Sequence, residues 1–160
     1  ALPEDSLFRA QKSGTMQRNF QGYTDDPATV ILGFGLSAIS QFKGAYTQNK
    51  LDALSYKKSI EAGLLPVGKG YMLSEADITA REAIMQIMCH FHLDPEKQSL
   101  PTPSAHIAAL EHDGLITRQK NGALKITETG RPFTRVVACC FDPYFQGSLH
   151  QKEKSHAKAF

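Results

Sequence analysis

Apolar residues along this chain recur mostly at the three- and four-residue spacing of amphipathic helices. The clearest helix is predicted to begin after Ser74, a good N-cap residue, because Glu75 and Asp77 place negative charge at its positive end. It is expected to end at about residue 93, before an Asp-Pro pair. One cation interrupts its otherwise apolar stripe: Ile78, Arg81, Ile84, Met85, Met88 and Phe91.

Two shorter amphipathic helices are predicted in the first part of the chain. Residues 3–12 have a proline and two acidic residues in the first turn, and residues 51–62 are followed by Gly63, which suits a helix C-terminus. Residues 19–24 are expected to be extended. Residues 65–70, with a proline and two glycines, are expected to connect two regions.

Residues 30–40 are almost continuously apolar, which predicts a strand covered on both faces. Gly33 and Gly35 would lie on the same side of that strand, because side chains alternate between its faces. They would leave a shallow groove where a ligand or another backbone lies close. A tight packing contact is the alternative explanation of the two glycines.

The C-terminal half predicts the order helix, strand, turn, strand, helix. Residues 104–111 form the first of these helices, and the Asn-Gly pair at 121–122 predicts a tight turn between the two strands. A last helix is expected over residues 129–141. This order is expected of a winged-helix-like unit, so the predicted fold class is α+β and mostly helical.

Composition and charge add few constraints. The chain has 160 residues, 41% of them hydrophobic and 21% charged, which fits a soluble globular protein. Its 18 Lys and Arg residues nearly balance 16 Asp and Glu residues, so charge alone predicts neither nucleic-acid nor membrane binding. The longest apolar run, residues 28–39, is well short of the ~20 residues of a spanning helix. Three cysteines, an odd number, favour a reducing cytoplasm.

Candidate metal and catalytic sites find little support in the sequence. His90 and His92 would point in different directions from a helix, and the adjacent Cys139 and Cys140 lack the second pair that structural zinc needs. No three cysteines are clustered for an iron–sulfur centre. A DNA-binding function is disfavoured because residues 104–111 contain no Lys or Arg.

Several blocks of the sequence, taken in order, resemble the oxygen-independent coproporphyrinogen III oxidases. They are residues 18–24 (Arg-Asn-Phe-Gln-Gly-Tyr-Thr), 32–40, 45–49, 65–67, 89–91, 113–115, 127–131 and 141–144 (Phe-Asp-Pro-Tyr). The chain departs from the family pattern at Phe34, Leu36, residues 41–44 and the tail beyond Phe145.

The resemblance implies radical chemistry in a larger enzyme. Such an enzyme holds a 4Fe–4S cluster on three cysteines in a partial β/α barrel upstream, and S-adenosylmethionine is its radical source. A hydrogen atom is taken from each of two propionates of coproporphyrinogen III, and decarboxylation leaves the vinyl groups of protoporphyrinogen IX. An upstream barrel of the same polypeptide is therefore the expected partner. This chain alone is expected to bind no cofactor and to be inactive.

The resemblance also implies roles for two residues, and the chemistry of a third suggests another. In such enzymes the position of Ile39 contacts a second S-adenosylmethionine, and the position of Gln21 lies near the same pocket. From its chemistry alone, Arg18 is expected to bind a propionate, because a guanidinium matches a carboxylate in bidentate fashion; a structural role at the surface is the alternative. The chain is expected to contain no catalytic residue and no metal ligand.

Three regions follow from the resemblance. Residues 1–50 would end the radical-SAM catalytic region with the last strands of the barrel, and residues 51–73 would be a helix and connector. Residues 74–160 would form a helical, winged-helix-like cap with a mobile tail, which keeps water from the radical. Two alternatives remain: a porphyrin-handling relative such as a haem chaperone or haem-degrading enzyme, and a stand-alone winged-helix DNA-binding regulator.

Overall fold

The computed structural model of the chain describes residues 2–95 and 105–148. The helices in these ranges are α1 (Ser6–Ser13), α2 (Ala53–Glu61), α3 (Glu75–His90), α4 (His106–His112), α5 (Thr134–Cys139), α6 (Pro143–Ser148) and a 3₁₀ helix at Arg131–Phe133. The strands are β1 (Gln17–Arg18), β2 (Tyr23–Thr24), β3 (Ile39–Phe42), β4 (Ala45–Asn49), β5 (Val67–Met72), β6 (His92–Leu93), β7 (Ile116–Arg118) and β8 (Leu124–Ile126).

The described strands form three small antiparallel sheets. β1 and β2 make a hairpin, β3, β4 and β5 follow one another in the second sheet, and the third has the order β6-β8-β7. Helices and small antiparallel sheets together make an α+β fold, as the sequence predicted.

The main core lies between α3, the third sheet and α5. The side chains at its centre are almost completely buried: Ile87, Leu93, Ile116, Val137 and Phe141. Burying one such apolar side chain stabilises the fold by roughly 1.5–3 kcal/mol. A smaller cluster of Ala10, Met16 and Cys89 attaches α1 to the other side of α3. Helix α3 therefore contributes to both clusters.

Helix α3 follows the prediction at its start but ends earlier than predicted. The Ser74 and Asp77 side chains and backbones form a reciprocal capping box. The helix stops at His90 because Phe91 takes a left-handed conformation, with φ of 60°. Leu93 belongs to β6 and pairs with Leu124 of β8, so the expected helical end at residue 93 was wrong.

The prediction of a strand over residues 30–40 was wrong. The segment is mainly a loop, in which only Ile31 bridges to Gln41 before β3 begins at Ile39. Gly35 with φ of 99° and Ser37 with φ of 58° turn the backbone out of the extended conformation. Most of its large apolar side chains are exposed rather than covered, with Phe34 88% accessible, whereas Ile31 and Ile39 are half-buried.

The expected connector at residues 65–70 is largely a strand. β5 pairs with β4 along Val67–Met72, and all six of its residues are exposed. Gly68 lies close to the backbone of Lys50. A Cβ added to Gly68 would be 3.2 Å from the Cα of Lys50. Backbone pairing with β4 thus forms this strand without an alternating apolar pattern.

The C-terminal half largely agrees with its predicted order. The Asn-Gly turn lies between β7 and β8, and α4 covers most of the helix predicted at 104–111. Residue 104 and the part of the predicted tail beyond residue 148 lie outside the described residues. The helix expected at 129–141 is divided into the 3₁₀ helix and α5, and α6 follows it.

Candidate functional site

A cavity of about 950 Å³ opens between α3, the second sheet and the β1–β2 hairpin. This volume is within the range of small-molecule sites in proteins. Much of its wall is apolar. Phe20 of the hairpin and Phe42 of β3 lie on one side, and α3 contributes Ile78, Ile84, Met85 and Met88 on the other. The cavity therefore suits a ligand with a large apolar frame.

An aromatic pair helps to shape this wall. The rings of Phe20 and Tyr46 meet edge to face, with 5.0 Å between their centroids and an interplanar angle of 82°. Tyr46 lies on β4, and Phe20 lies just after β1, so the contact joins the hairpin to the second sheet.

Cationic residues also line the cavity. Arg18 comes from β1, Lys43 from the turn between β3 and β4, and Arg81 from α3. The Arg18 guanidinium lies 5.8 Å from the ring centroid of Tyr23. Among residues 2–95 and 105–148, no carboxylate forms an ion pair with any of the three cations. An anionic ligand could therefore compete for them without breaking an existing ion pair.

Asp77 is the centre of a hydrogen-bonded group at the cavity wall. The Tyr144 hydroxyl donates to Asp77 Oδ1 over 2.7 Å, and the Tyr71 hydroxyl donates to Oδ2 over 3.1 Å. Ser74 donates to Oδ2 from both its backbone N–H and its hydroxyl, over 2.9 and 2.8 Å. The two tyrosine hydroxyls also contact each other. β5, α3 and α6 therefore meet at one carboxylate.

These hydrogen bonds shift two pKa values in opposite directions. The bond from Tyr144, followed by those from Ser74 and Tyr71, lowers the pKa of Asp77 to about 2. The contact with Tyr71, and next the bond to the Asp77 carboxylate, raises the pKa of Tyr144 above its usual range. The group therefore holds a carboxylate and a neutral phenol side by side at neutral pH.

The three residues predicted to bind ligands lie in different places. Arg18 lines the cavity. Gln21 is exposed in the turn between β1 and β2, where its backbone N–H donates to Asn19 Oδ1 over 2.8 Å. Ile39 begins β3 opposite Gln48 and is half-buried. Neither Gln21 nor Ile39 is among the described residues that line the cavity, whereas Gln41, two positions along the same strand, is.

The two glycines of the predicted groove have separate structural roles. A Cβ added to Gly33 would lie 2.6 Å from the Ile39 carbonyl oxygen, so this glycine permits a close backbone contact within the chain. Gly35 instead provides a positive φ. The amide of the buried Asn49 donates to both of their carbonyl oxygens, over 3.0 and 2.9 Å. The two glycines therefore do not form one face of a strand.

Sequence reasoning missed the residues that assemble this site across long separations. Tyr71, Asp77 and Tyr144 meet although 67 positions separate the last two. The serine and aspartate of the capping box were visible in the sequence, but nothing in it linked the aspartate to Tyr71 or Tyr144. Asn49 lies in one of the blocks that carry the resemblance, but nothing in the sequence indicated that it holds the loop containing Gly33 and Gly35.

The described residues do not fit a metal centre. No group of three or more His, Cys, Asp and Glu side chains in residues 2–95 and 105–148 is placed to hold a metal ion. Burial raises the pKa of the Cys89 thiol to about 11, and burial also raises that of Cys139, whereas a thiolate is the form that binds metal. Within the described ranges, no helix has the length and apolarity to cross a membrane.

Comparison with known proteins gives a consistent result. No family model matches the chain. It is 39% identical over 152 residues to the oxygen-independent coproporphyrinogen III oxidase of Cereibacter sphaeroides, covering 90% of this chain and 34% of the relative. The Synechocystis enzyme of the same name is 33% identical over 171 residues, covering 98% and 36% of the two chains.

A solved structure agrees with these relatives. Coproporphyrinogen III oxidase from Escherichia coli, described as a radical SAM enzyme, superposes with a TM-score of 0.81 at 32% identity, over 90% of this chain and 35% of that one. The matched region is the C-terminal part of these relatives, and the chain spans about a third of their length. In sequence and in fold, the chain corresponds to the C-terminal third of the oxygen-independent coproporphyrinogen III oxidases.

Proposed function

We propose that this chain forms one wall of the porphyrinogen site of an oxygen-independent coproporphyrinogen III oxidase. The main support is the cavity of about 950 Å³, which is lined by apolar side chains and by cations. Among the described residues, these cations form no ion pair with a carboxylate. Coproporphyrinogen III has the matching chemistry, since it is a large apolar macrocycle bearing four carboxylates. The enzyme would convert two of its propionates to vinyl groups.

The cofactors of this reaction would belong to another part of the enzyme. S-adenosylmethionine and a 4Fe–4S cluster supply the radical that removes a hydrogen atom from each propionate. The described residues of this chain do not fit the cluster, so we assign it to a radical-SAM barrel of the same polypeptide. The role of this chain is to bind and orient the porphyrinogen and to exclude water.

Arg18 would bind one propionate of the substrate. Its guanidinium lines the cavity and lies against the ring of Tyr23, which limits its motion without neutralising its charge. A planar guanidinium can donate two parallel hydrogen bonds to one carboxylate. This contact would set the orientation of the macrocycle in the site.

Ile39 and Gln21 would contact a second S-adenosylmethionine, as the resemblance implies. Both are at least partly accessible, and Gln21 offers a donor and an acceptor to a polar ligand. Gln21→Ala is expected to lower decarboxylation by the complete enzyme without changing porphyrin binding to this chain. Anaerobic product analysis and a binding titration would measure the two effects separately. Weaker porphyrin binding by the variant would contradict this assignment.

We further propose the three regions that the resemblance implies. Residues 1–50 would complete the barrel, residues 51–73 would link it to the cap, and residues 74–160 would be the winged-helix-like cap. The strand order β6-β8-β7, with α4 before the hairpin, supports this topology. Helix α4 contains no Lys or Arg, which favours docking on protein over DNA.

The enzyme would act in the cytoplasm. Exposed apolar residues support the proposed contact between this chain and the barrel. The side chains concerned lie on the loop before β3, on α2 and just before it, and on the segment before β5: Leu32, Phe34, Leu51, Leu54, Leu64 and Leu65. Each is at least 60% accessible in this chain. Covering such side chains with another part of the enzyme would remove them from water.

A porphyrin titration tests the proposal. Coproporphyrin III is the stable oxidised form of the substrate. Its fluorescence is expected to be quenched or shifted when it binds the 160-residue chain. Arg18→Met should weaken binding about tenfold, the effect of losing a hydrogen-bonded charge. Arg9→Met, an exposed arginine on α1 outside the cavity, is the matched control. Absence of binding, or equal binding of the tetramethyl ester, would contradict the proposal.

A further inference from the structure

We propose that Arg81 and the hydroxyl of Tyr46 form a carboxylate-binding subsite in the cavity, separate from Arg18. The inference rests on the proposed function and adds the group that would recognise a second propionate. Arg81 lies on α3 and Tyr46 on β4, so the subsite joins the helix to the second sheet.

The position of Arg81 is unusual for a solvated cation. It is the one polar residue in the apolar stripe of α3, between Ile78 and Ile84, and all three line the cavity. A guanidinium on the apolar side of a helix loses hydration unless a polar partner replaces it. Arg81 is half-buried there. A ligand anion in the cavity would add a charged partner to the two uncharged ones that Arg81 already has.

Two hydrogen bonds orient the Arg81 guanidinium. Nη2 donates to the Lys43 carbonyl oxygen over 3.1 Å, and Nη1 donates to the Tyr46 hydroxyl oxygen over 3.4 Å. Tyr46 is itself held by its edge-to-face contact with Phe20. Orienting the side chain before the ligand binds lowers the entropy lost on binding.

These partners fix the guanidinium without neutralising it. A carbonyl and a hydroxyl are both uncharged, and a guanidinium has five N–H donors, of which these bonds use two. The Tyr46 oxygen accepts from Arg81, so its own hydrogen is available to a ligand. A carboxylate could thus receive an N–H and an O–H from the two residues together.

The nearby carboxylates are engaged elsewhere. Asp77, one turn before Arg81, accepts from Tyr144, Tyr71 and Ser74. Asp142 accepts the backbone N–H groups of Tyr144 and Phe145, over 2.9 and 3.2 Å. Glu82 also lines the cavity, but no described carboxylate forms an ion pair with Arg81. The positive charge of Arg81 is therefore available to a ligand.

Titration of the chain with coproporphyrin III and with its tetramethyl ester tests the subsite. Arg81→Met is expected to weaken binding of the acid at least tenfold, because a charge-assisted hydrogen bond is lost, and to leave binding of the ester unchanged. Arg81→Lys should recover only part of the affinity, since an ammonium lacks the planar fork. Arg135→Met, an exposed arginine on α5 outside the cavity, is the matched control.

A merely structural Arg81 would give a different pattern. Its loss would weaken the acid and the ester alike and would lower the melting temperature more than Arg135→Met does. Should Arg81→Met fail to fold, Tyr46→Phe keeps the ring contact with Phe20 and removes only the hydroxyl. That variant should weaken binding of the acid about tenfold, as expected for the loss of one hydrogen bond to a charged group.

The outcomes separate this inference from the proposed function. If the unmodified chain binds the acid selectively while Arg81→Met and Tyr46→Phe bind like Arg135→Met, the subsite is wrong and the porphyrinogen site stands. If the unmodified chain does not bind coproporphyrin III, both the proposed function and the subsite that depends on it are wrong. Selective weakening by both variants supports the subsite.

Discussion

The Asp77 carboxylate is the residue at which protonation should change stability. Its folded-state pKa is lowered to about 2 from 3.8, so folding favours the charged form. The stabilisation is therefore complete above pH 3.8 and is lost as the pH falls toward 2. Asp77→Asn should melt at a lower temperature at pH 7, and its difference from the unmodified chain should shrink across this acidic window. Thermal unfolding from pH 7 to pH 2 measures both effects.

An exposed aspartate outside the group serves as the control. Asp25→Asn, in the loop after β2, should leave the melting temperature and its pH dependence close to those of the unmodified chain. Tyr144→Phe removes the largest contribution to the low pKa of Asp77, so its effect should not add to that of Asp77→Asn. Strict additivity of the two substitutions would mean that the hydrogen bond does not stabilise the fold.

The glycine loop before β3 offers a test at the level of one structural element. An alanine Cβ at position 33 would lie 2.6 Å from the Ile39 carbonyl oxygen and 2.8 Å from its carbonyl carbon, so the backbone must move. Gly33→Ala is expected to destabilise the chain by about 1–3 kcal/mol, the cost of overpacking. Urea unfolding measures this change in the free energy of unfolding.

Gly44 provides the matched position for this experiment. It lies in the turn between β3 and β4, its φ is not positive, and an added Cβ would have no atom within 4 Å. Gly44→Ala should therefore leave the free energy of unfolding nearly unchanged or slightly raised. Equal effects at the two positions would show that the close contact at Gly33 is not maintained in solution.

The elements themselves show which parts of this fold the sequence could reveal. Helix α3 and the β7–β8 turn depend on local chemistry, namely a capping box, a regular apolar stripe and an Asn-Gly pair, so both were predictable. The segment 30–40 misled because most of its large apolar side chains are exposed, and apolar sequence alone does not distinguish a covered strand from a surface loop. β5 has no period-two pattern because its residues are all exposed.

The cavity depends on contacts that no local pattern contains. Arg18 could be singled out as a candidate carboxylate ligand, and it lines the cavity. Arg81 stood out as the cation in an apolar stripe, but its partners Tyr46 and Lys43 lie 35 and 38 positions earlier in the chain. Only the folded arrangement of α3 against the second sheet brings these groups together.

At the scale of the whole molecule, this chain should bind the porphyrinogen without transforming it. The sequence contains three cysteines, and Cys89 and Cys139 are held as neutral thiols by burial. Generating the radical requires the cluster that we assign to the barrel.

Incubation of the chain with S-adenosylmethionine, a strong reductant and coproporphyrinogen III under anaerobic conditions should therefore yield no vinyl product. Mass spectrometry of the extracted porphyrins measures this outcome, with a complete oxidase of the family as the positive control. Formation of protoporphyrinogen IX by this chain alone would refute the assignment, because it would require a radical source within these 160 residues.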